Sequence, residues 1–307
     1  MDGAPGHYRL AVPNPSDPPG SVSRPPRSAM SSPASPESPV DLARYPLHDL
    51  AGPAMRAVVR DARASLAAKG VAILPGFLTE TARSAISREA SELEAKSHLE
   101  NVWGTPYLGV PDARFPEGHP RRTAVLSLTS VIAYDLIGRN SVLRRLYESE
   151  EMLHFIETVL DRKPLYRMAD PLGALNLTVM REGHVQGWHY DNADFVVSLA
   201  IQASRGGGLF ECAPLIRGGT DENADQNYPA VKRVLDGKAG DLVEVFPMVP
   251  GTLMVFEGRR SIHRVSPVEG DVPRHVGLLA YDTTPGADST SVFKLIRYGR
   301  NTPIDAS

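Results

Sequence analysis

The stretch Gly187-Trp188-His189-Tyr190-Asp191-Asn192 decides how this chain is read. His189 and Asp191 stand two residues apart, just before the apolar run Phe195-Val196-Val197-Ser198-Leu199-Ala200-Ile201. In extended backbone, residues i and i+2 project from one face. His189 and Asp191 can then converge on one point while Tyr190 turns away. The spacing reads the pair as the opening of the strand that follows. A third candidate, His263, lies in Ser261-Ile262-His263-Arg264-Val265. Eleven residues later Arg274 opens the run Arg274-His275-Val276-Gly277-Leu278-Leu279-Ala280-Tyr281. Two imidazoles and one carboxylate on a common face are the donor set of a mononuclear iron(II) site. Arg274 adds a guanidinium suited to a bidentate carboxylate pair. That combination points to 2-oxoglutarate, whose distal carboxylate needs a fixed cation.

The rest of the chain suits a globular host for such a site. Of 307 residues, 42% are hydrophobic and 22% charged, which fits a packed core. A net charge of −3 argues against nucleic acid or an anionic membrane as partner. Cys212 is the single cysteine, so no internal disulfide and no cysteine-based zinc or iron–sulfur cage is available. No apolar run reaches the roughly 18–20 residues of a membrane span, and the start of the chain lacks a secretory apolar core. The expectation is a cytoplasmic protein acting on a small-molecule substrate; the oligomeric state is not legible.

Residues 1–40 are rich in Pro, Ser, Gly and Ala and are expected to be a disordered tail, with Met30 as a second possible start. Residues 41–307 read as one domain. Helical spacing and a following Gly70 predict a helix over 54–69, then a strand at 71–74 and a second helix from Thr79 to about 97. Residues 103–122 hold four prolines and read as a long loop, the usual form of a lid. One or two helices are expected over 141–160. Strands are expected at 175–180, 195–201, 209–212, 242–246, 252–256 and 274–281, with a last one at 292–298. An insertion near 217–238 has helical character from Pro229 to Leu235. Helices first, then many short strands with Gly/Pro turns, give the fold class: a β-rich α+β protein. Its core is a double-stranded β-helix (jelly-roll, cupin-like) behind an N-terminal helical layer. The Gly206-Gly207-Gly208 run lacks the Lys-Ser/Thr of a phosphate loop and reads as a turn.

The ordered set His189-Tyr190-Asp191, His263 and Arg274 resembles the 2-oxoglutarate-dependent nonheme iron dioxygenases. More narrowly, three stretches are similar to the carrier-free amino-acid halogenases and their hydroxylase relatives. These are Trp188-His189-Tyr190-Asp191, Gly207-Gly208-Leu209-Phe210-Glu211, and Val255-Phe256-Glu257-Gly258-Arg259 through His263 to Gly270. The resemblance covers roughly residues 170 to 300. It implies iron(II) on His189, Asp191 and His263, with 2-oxoglutarate on Arg274 and Arg264, and O2 as the oxidant. In the halogenases a small residue replaces the carboxylate ligand and leaves room for chloride; Asp191 fills that position here. The resemblance therefore implies hydroxylation of an unactivated C–H bond, most naturally in a free amino acid or a derivative within a biosynthetic pathway. Candidate substrate contacts are Arg121 and Arg122 on the loop, Gln186, Asn192 and Asp194 beside the metal pair, and Arg297 with Tyr298 near the end. The alternatives are desaturation or cyclisation at the same centre, an oxygenase acting on a peptide or protein, and a non-redox metal-binding barrel.

Overall fold

The computed structural model describes residues 38–219 and 225–304. Most of the expected tail, including Met30, and part of the insertion lie outside the described residues. Within 38–40, Val40 is buried and bridges Leu78.

The helical layer comes first. Helix α1 (Pro53–Lys69) has proline in its first turn and ends on Gly70 at φ 62°, a left-handed cap that glycine adopts without strain. Strand β1 (Val71–Leu74) follows, then α2 (Glu80–Leu93), whose Thr79 hydroxyl accepts from the Ala82 amide. Strands β2 (His98–Gly104) and β3 (Val125–Ile132) flank the long loop. Neither strand was expected. Strand β2 alternates exposed and half-buried residues at a sheet edge, so it carries little apolar signal. Helices α3 (Val142–Glu148) and α4 (Glu150–Leu160) complete the layer.

The barrel strands follow: β4 (Tyr166–Arg167), β5 (Leu175–Met180), β6 (Val185–His189), β7 (Val196–Gln202), β8 (Gly206–Gly207) and β9 (Phe210–Ala213). Helix α5 (Tyr228–Leu235) occupies the insertion. The chain continues through β10 (Glu244–Phe246), β11 (Leu253–Phe256), β12 (Ile262–Val265), β13 (Val268–Glu269), β14 (Arg274–Leu279) and β15 (Tyr281–Asp282). The last element, α6 (Ser291–Tyr298), is a helix where a strand was expected. The Thr290 side chain caps its start and Gly299 at φ 70° its end, and these caps outweigh the β-tendency of Val292, Phe293 and Ile296.

The main sheet is antiparallel and runs β1-β11-β7-β14-β5-β3-β6-β12-β9-β10, with β2 beside β3. Strand β3 joins the two halves of the jelly roll. Residues 130–132 pair with β5, and Ser127 and Leu128 pair with β6. One face of β5, β7, β11 and β14 presents Leu175, Leu177, Val179, Val197, Leu199, Ile201, Leu253, Val255 and Leu279. These pack with Met55, Val59, Ile86, Phe155 and Ile156 of the helical layer. The other face looks into the roll. Register sets Thr252, Ala200, Val276 and Thr178 there in one row, and Met254, Ser198, Leu278 and Asn176 in the next.

Candidate metal centre and cosubstrate cavity

His189 is the last residue of β6, so the motif closes one strand instead of opening the next. Across the β6–β12 ladder, His263 lies opposite His189 and Val265 opposite Gln186. Two steps on β12 thus face three steps on β6, which is a bulge. The bulge brings Gln186 and His189 to the same face, where strict alternation would separate them. The Gln186 Nε2 lies 3.2 Å from the His189 Nε2.

Each imidazole is oriented by its own backbone. The His189 Nδ1 is 2.8 Å from the Gly187 carbonyl, and the His263 Nδ1 is 2.9 Å from the Ser261 carbonyl. A carbonyl only accepts, so both Nδ1 atoms carry the proton and both Nε2 atoms keep a lone pair. Those lone pairs face Asp191: His189 Nε2 is 3.7 Å from Oδ1 and His263 Nε2 is 3.3 Å from Oδ2. The three donor atoms lie within 4.8 Å of one another. Burial, and then the neighbouring His263, hold the His189 imidazole down to about 4, so it is neutral near pH 7. The Asp191 amide bonds the Gly258 carbonyl at 3.1 Å, and the carboxylate rests on Gly258, where any Cβ would stand 1.9 Å from Oδ2. That oxygen is buried without a hydrogen-bond partner. Two imidazole Nε2 atoms and one carboxylate, converging from β6, β12 and the loop after β6, are a donor set that fits a divalent iron.

The opposite wall fits an acidic cosubstrate. Arg274 is 7% exposed and its one hydrogen-bond contact is the Met180 sulfur at 3.8 Å. Burial pushes its guanidinium down to about 10, with no carboxylate among the described residues to restore it. Its stem crosses Gly208, whose φ of 61° and missing side chain admit it. Met180, Val265 and Val268 form one cluster under the guanidinium, and Val265 is one pleat repeat, about 7 Å, from His263. On the same face of the sheet as Arg274, the Thr178, Ser198 and Thr252 hydroxyls and the Asn176 amide oxygen are buried without hydrogen-bond partners among the described residues. Buried polar atoms of this kind are ordinarily paired, so four of them in two adjacent rows of one sheet face mark where a polar ligand lies.

Other expected residues go elsewhere. Arg264 projects from the opposite face of β12 to His263; its Nε is 2.8 Å from the Glu211 carboxylate and its guanidinium covers Trp188. It does not meet the cosubstrate wall. Asp194 is paired with Arg162 at 3.1 Å and Arg259 at 3.3 Å. Arg121 bonds the Tyr228 hydroxyl at 2.6 Å and lies over Tyr107, on the Tyr190 side of β6. Arg122 bonds the Phe115 carbonyl. Alternation explains Arg264, which stands next to a ligand in a strand and so looks away from it. Asn192 stays beside the motif, its carbonyl accepting from Arg259. Arg297 and Tyr298 are buried on α6, and Arg297 pairs with Glu100. The long loop is tied to the motif where the Tyr190 amide bonds the Pro106 carbonyl at 2.8 Å. Cys212 is buried opposite His263, and burial pushes its thiol up to about 12, an inert core residue.

Residues 54–293 match halogenase D, HalD. The chain belongs to the halogenase D family. It is an iron(II)- and 2-oxoglutarate-dependent oxygenase. Among solved structures, this halogenase D family member shares 14% identity with the non-heme alpha ketoglutarate dependent carbocyclase SnoK from nogalamycin biosynthesis. That match covers 81% of this chain and 94% of the other, at a TM-score of 0.52, and shows a common fold. The epimerase SnoN of the same biosynthesis is 15% identical, over 82% of this chain and 97% of the other, at 0.49. A 2OG-Fe(II) oxygenase family oxidoreductase from Burkholderia pseudomallei is 17% identical, over 75% and 92%, at 0.46. No curated protein sequence matches the chain. No helix among the described residues is long and apolar enough to cross a membrane.

The reading of the sequence missed Gly258, the Asn176/Thr178/Ser198/Thr252 set and Glu100. The set had a signal: in Leu175-Asn176-Leu177-Thr178-Val179-Met180 the polar residues alternate with aliphatics inside a fully buried strand. Glu100 had none, because its strand was not recognised.

Proposed function

We propose that the protein hydroxylates an unactivated C–H bond of a small polar substrate, a free amino acid or a derivative, in a cytoplasmic biosynthetic pathway. In this reading His189, Asp191 and His263 hold iron(II), and Arg274 anchors the distal carboxylate of 2-oxoglutarate. With these bound, the centre converts 2-oxoglutarate, O2 and a C–H bond into succinate, CO2 and C–OH. The protein's own residues do the positioning. The Gly187 and Ser261 carbonyls fix both imidazoles with Nε2 inward. Gly258 makes room for the Asp191 carboxylate. The buried Thr178, Thr252, Asn176 and Ser198 side chains offer hydrogen bonds inside a cavity closed to bulk water. Gln186, Asn192, Arg297 and Tyr298 are the substrate contacts.

The observation that carries hydroxylation over halogenation is Asp191 itself. Its carboxylate faces both imidazoles, Oδ1 toward His189 and Oδ2 toward His263, at the position where a halogenase of this kind keeps a small residue. The buried and unpaired Arg274 supports a dicarboxylate cosubstrate over a hydrolytic zinc site, which needs no such anchor. The test is an anaerobic titration with iron(II) and 2-oxoglutarate, followed by turnover on a panel of free amino acids. A visible charge-transfer band that requires both additions is expected, then succinate together with a product heavier by one oxygen. A product lighter by two hydrogens would replace hydroxylation with desaturation or cyclisation. Metal binding without the band would leave only the non-redox barrel.

A further inference from the structure

The side of the cavity between its two walls is closed by a buried ion pair, Glu100 with Arg297, of which the account above uses Arg297 alone. Register places it. On β3, Ser127 lies opposite Gln186, which touches His189, and Val131 lies opposite Thr178 of the polar set. Thr129, midway between them and on the same face, lies opposite Glu100 of β2. Glu100 therefore looks into the roll, between the metal wall and the cosubstrate wall. Helix α6 packs over this side through Phe293 and Tyr298 against Val131 and Leu172, and Arg297 reaches in from it to Glu100. The two side chains are 12% and 10% exposed.

A pair that served only to clamp α6 onto β2 would gain little from being charged. Buried ion pairs stabilise no better than well-packed apolar side chains of the same volume. The pair is also incompletely used. Arg297 Nη1 and the Thr129 hydroxyl, at 3.5 Å, both meet the Oε2 of Glu100, and neither meets its Oε1. Strands β2 and β6 are two spacings apart, about 10 Å. By register His189 lies five residues further along β6 than the position opposite Thr129, so an amino acid whose head group sits on the pair extends its side chain along the roll, past Gln186, toward the triad.

We propose that Glu100 and Arg297 form the seat for the substrate's head group, Glu100 accepting from its ammonium and Arg297 donating to its carboxylate. The seat then selects a free amino acid over its N-acyl form. The inference rests on the small-substrate reading above and adds to it the residue that reads the amine.

The test measures binding by calorimetry under anaerobic conditions, on protein loaded with iron(II) and 2-oxoglutarate. The probes are the common free amino acids and their N-acetyl derivatives. At least one free amino acid is expected to bind the unaltered protein tenfold or more tighter than its N-acetyl form. In Glu100→Gln that preference falls to within about twofold, while the N-acetyl form binds as before. Preference retained in Glu100→Gln, or absent from the unaltered protein, overturns the proposal. The charge-transfer band separates the two levels. With the band present, such a result removes the seat alone; with the band absent, the iron and 2-oxoglutarate reading falls with it. Because Glu100→Gln weakens the partner of a buried Arg297, the double variant Glu100→Leu/Arg297→Met serves as the control for folding. The proposal expects it to fold and still lack the preference; a double variant that regains it would make the pair a clamp only.

Discussion

The two faces of the sheet formed by β5, β7, β11 and β14 are buried alike and built differently. Along β5 all six residues are inaccessible. Leu175, Leu177 and Val179 turn outward into the apolar contact with the helical layer. Asn176, Thr178 and Met180 turn inward, and there the Asn176 and Thr178 side chains have orphaned oxygens. Ser198 and Thr252 repeat this on β7 and at the start of β11. Arg274 on β14 is a buried guanidinium with only a thioether beside it. The outer face removes apolar surface from water and holds the protein together. The inner face gives up stability, because each buried polar group without a partner carries a desolvation cost. Depth in the fold thus does not separate scaffold from site; partnering does.

This contrast can be broken by substitution, starting with the inner face. Asp191→Ala should abolish hydroxylation and weaken calorimetric iron(II) binding, while the metal-free protein keeps or raises its Tm because a carboxylate oxygen buried without a partner is gone. A matching fall in Tm would make Asp191 a structural residue. On the outer face Leu177→Ala should cost about 2–5 kcal/mol in denaturant melts, the range for a buried leucine that leaves a cavity. If its inner neighbour Thr178→Val cost as much, the two faces would not differ in kind.

Arg274→Met should raise the KM for 2-oxoglutarate roughly 10- to 100-fold, the value of a lost charged hydrogen-bond pair, with no loss of metal-free stability. An unchanged KM would mean the anchor lies elsewhere.

The smallest effect is on pH. His275 sits on the outer face beside Ser87 and Gln202, and burial pushes its imidazole down to about 4. Unfolded, it would take a proton near 6.5. Its contribution to stability is therefore complete above about pH 6.5 and is lost as the pH falls toward 4. In His275→Asn the acid limb of a Tm-against-pH curve should be shallower; an identical limb would assign acid sensitivity to other groups.

Much of this protein was legible in its residues because the signals are local. Glycine and threonine caps bounded α1 and α2, and aliphatic runs marked β1, β5, β7, β11 and β14. The donor set His189, Asp191 and His263 followed from ligand chemistry and order along the chain. Other features escaped for equally physical reasons. Strand β2 is an edge strand whose half-exposed residues carry no apolar period, and Glu100 was hidden with it. The stretch Ser291–Tyr298 is rich enough in Val, Ile and Phe to read as a strand, until its caps and its packing on Val131 make it a helix. Arg264 stands beside a ligand in sequence, but proximity along a strand does not say which face a side chain takes. Asp194 lies in the loop after β6, where its pairing with Arg162 and Arg259 had no local signal.

By itself, the order of side chains determined which groups can hold a divalent metal and a dicarboxylate, because donor chemistry belongs to the residue. Tertiary structure alone decided which of those groups meet. The bulge in β6 turns Gln186 toward His189, Gly258 opens the space for Asp191, and β3 brings Glu100 to the gap between the walls. Each of these depends on register between strands distant in the chain, and register arises only when the whole sheet has closed.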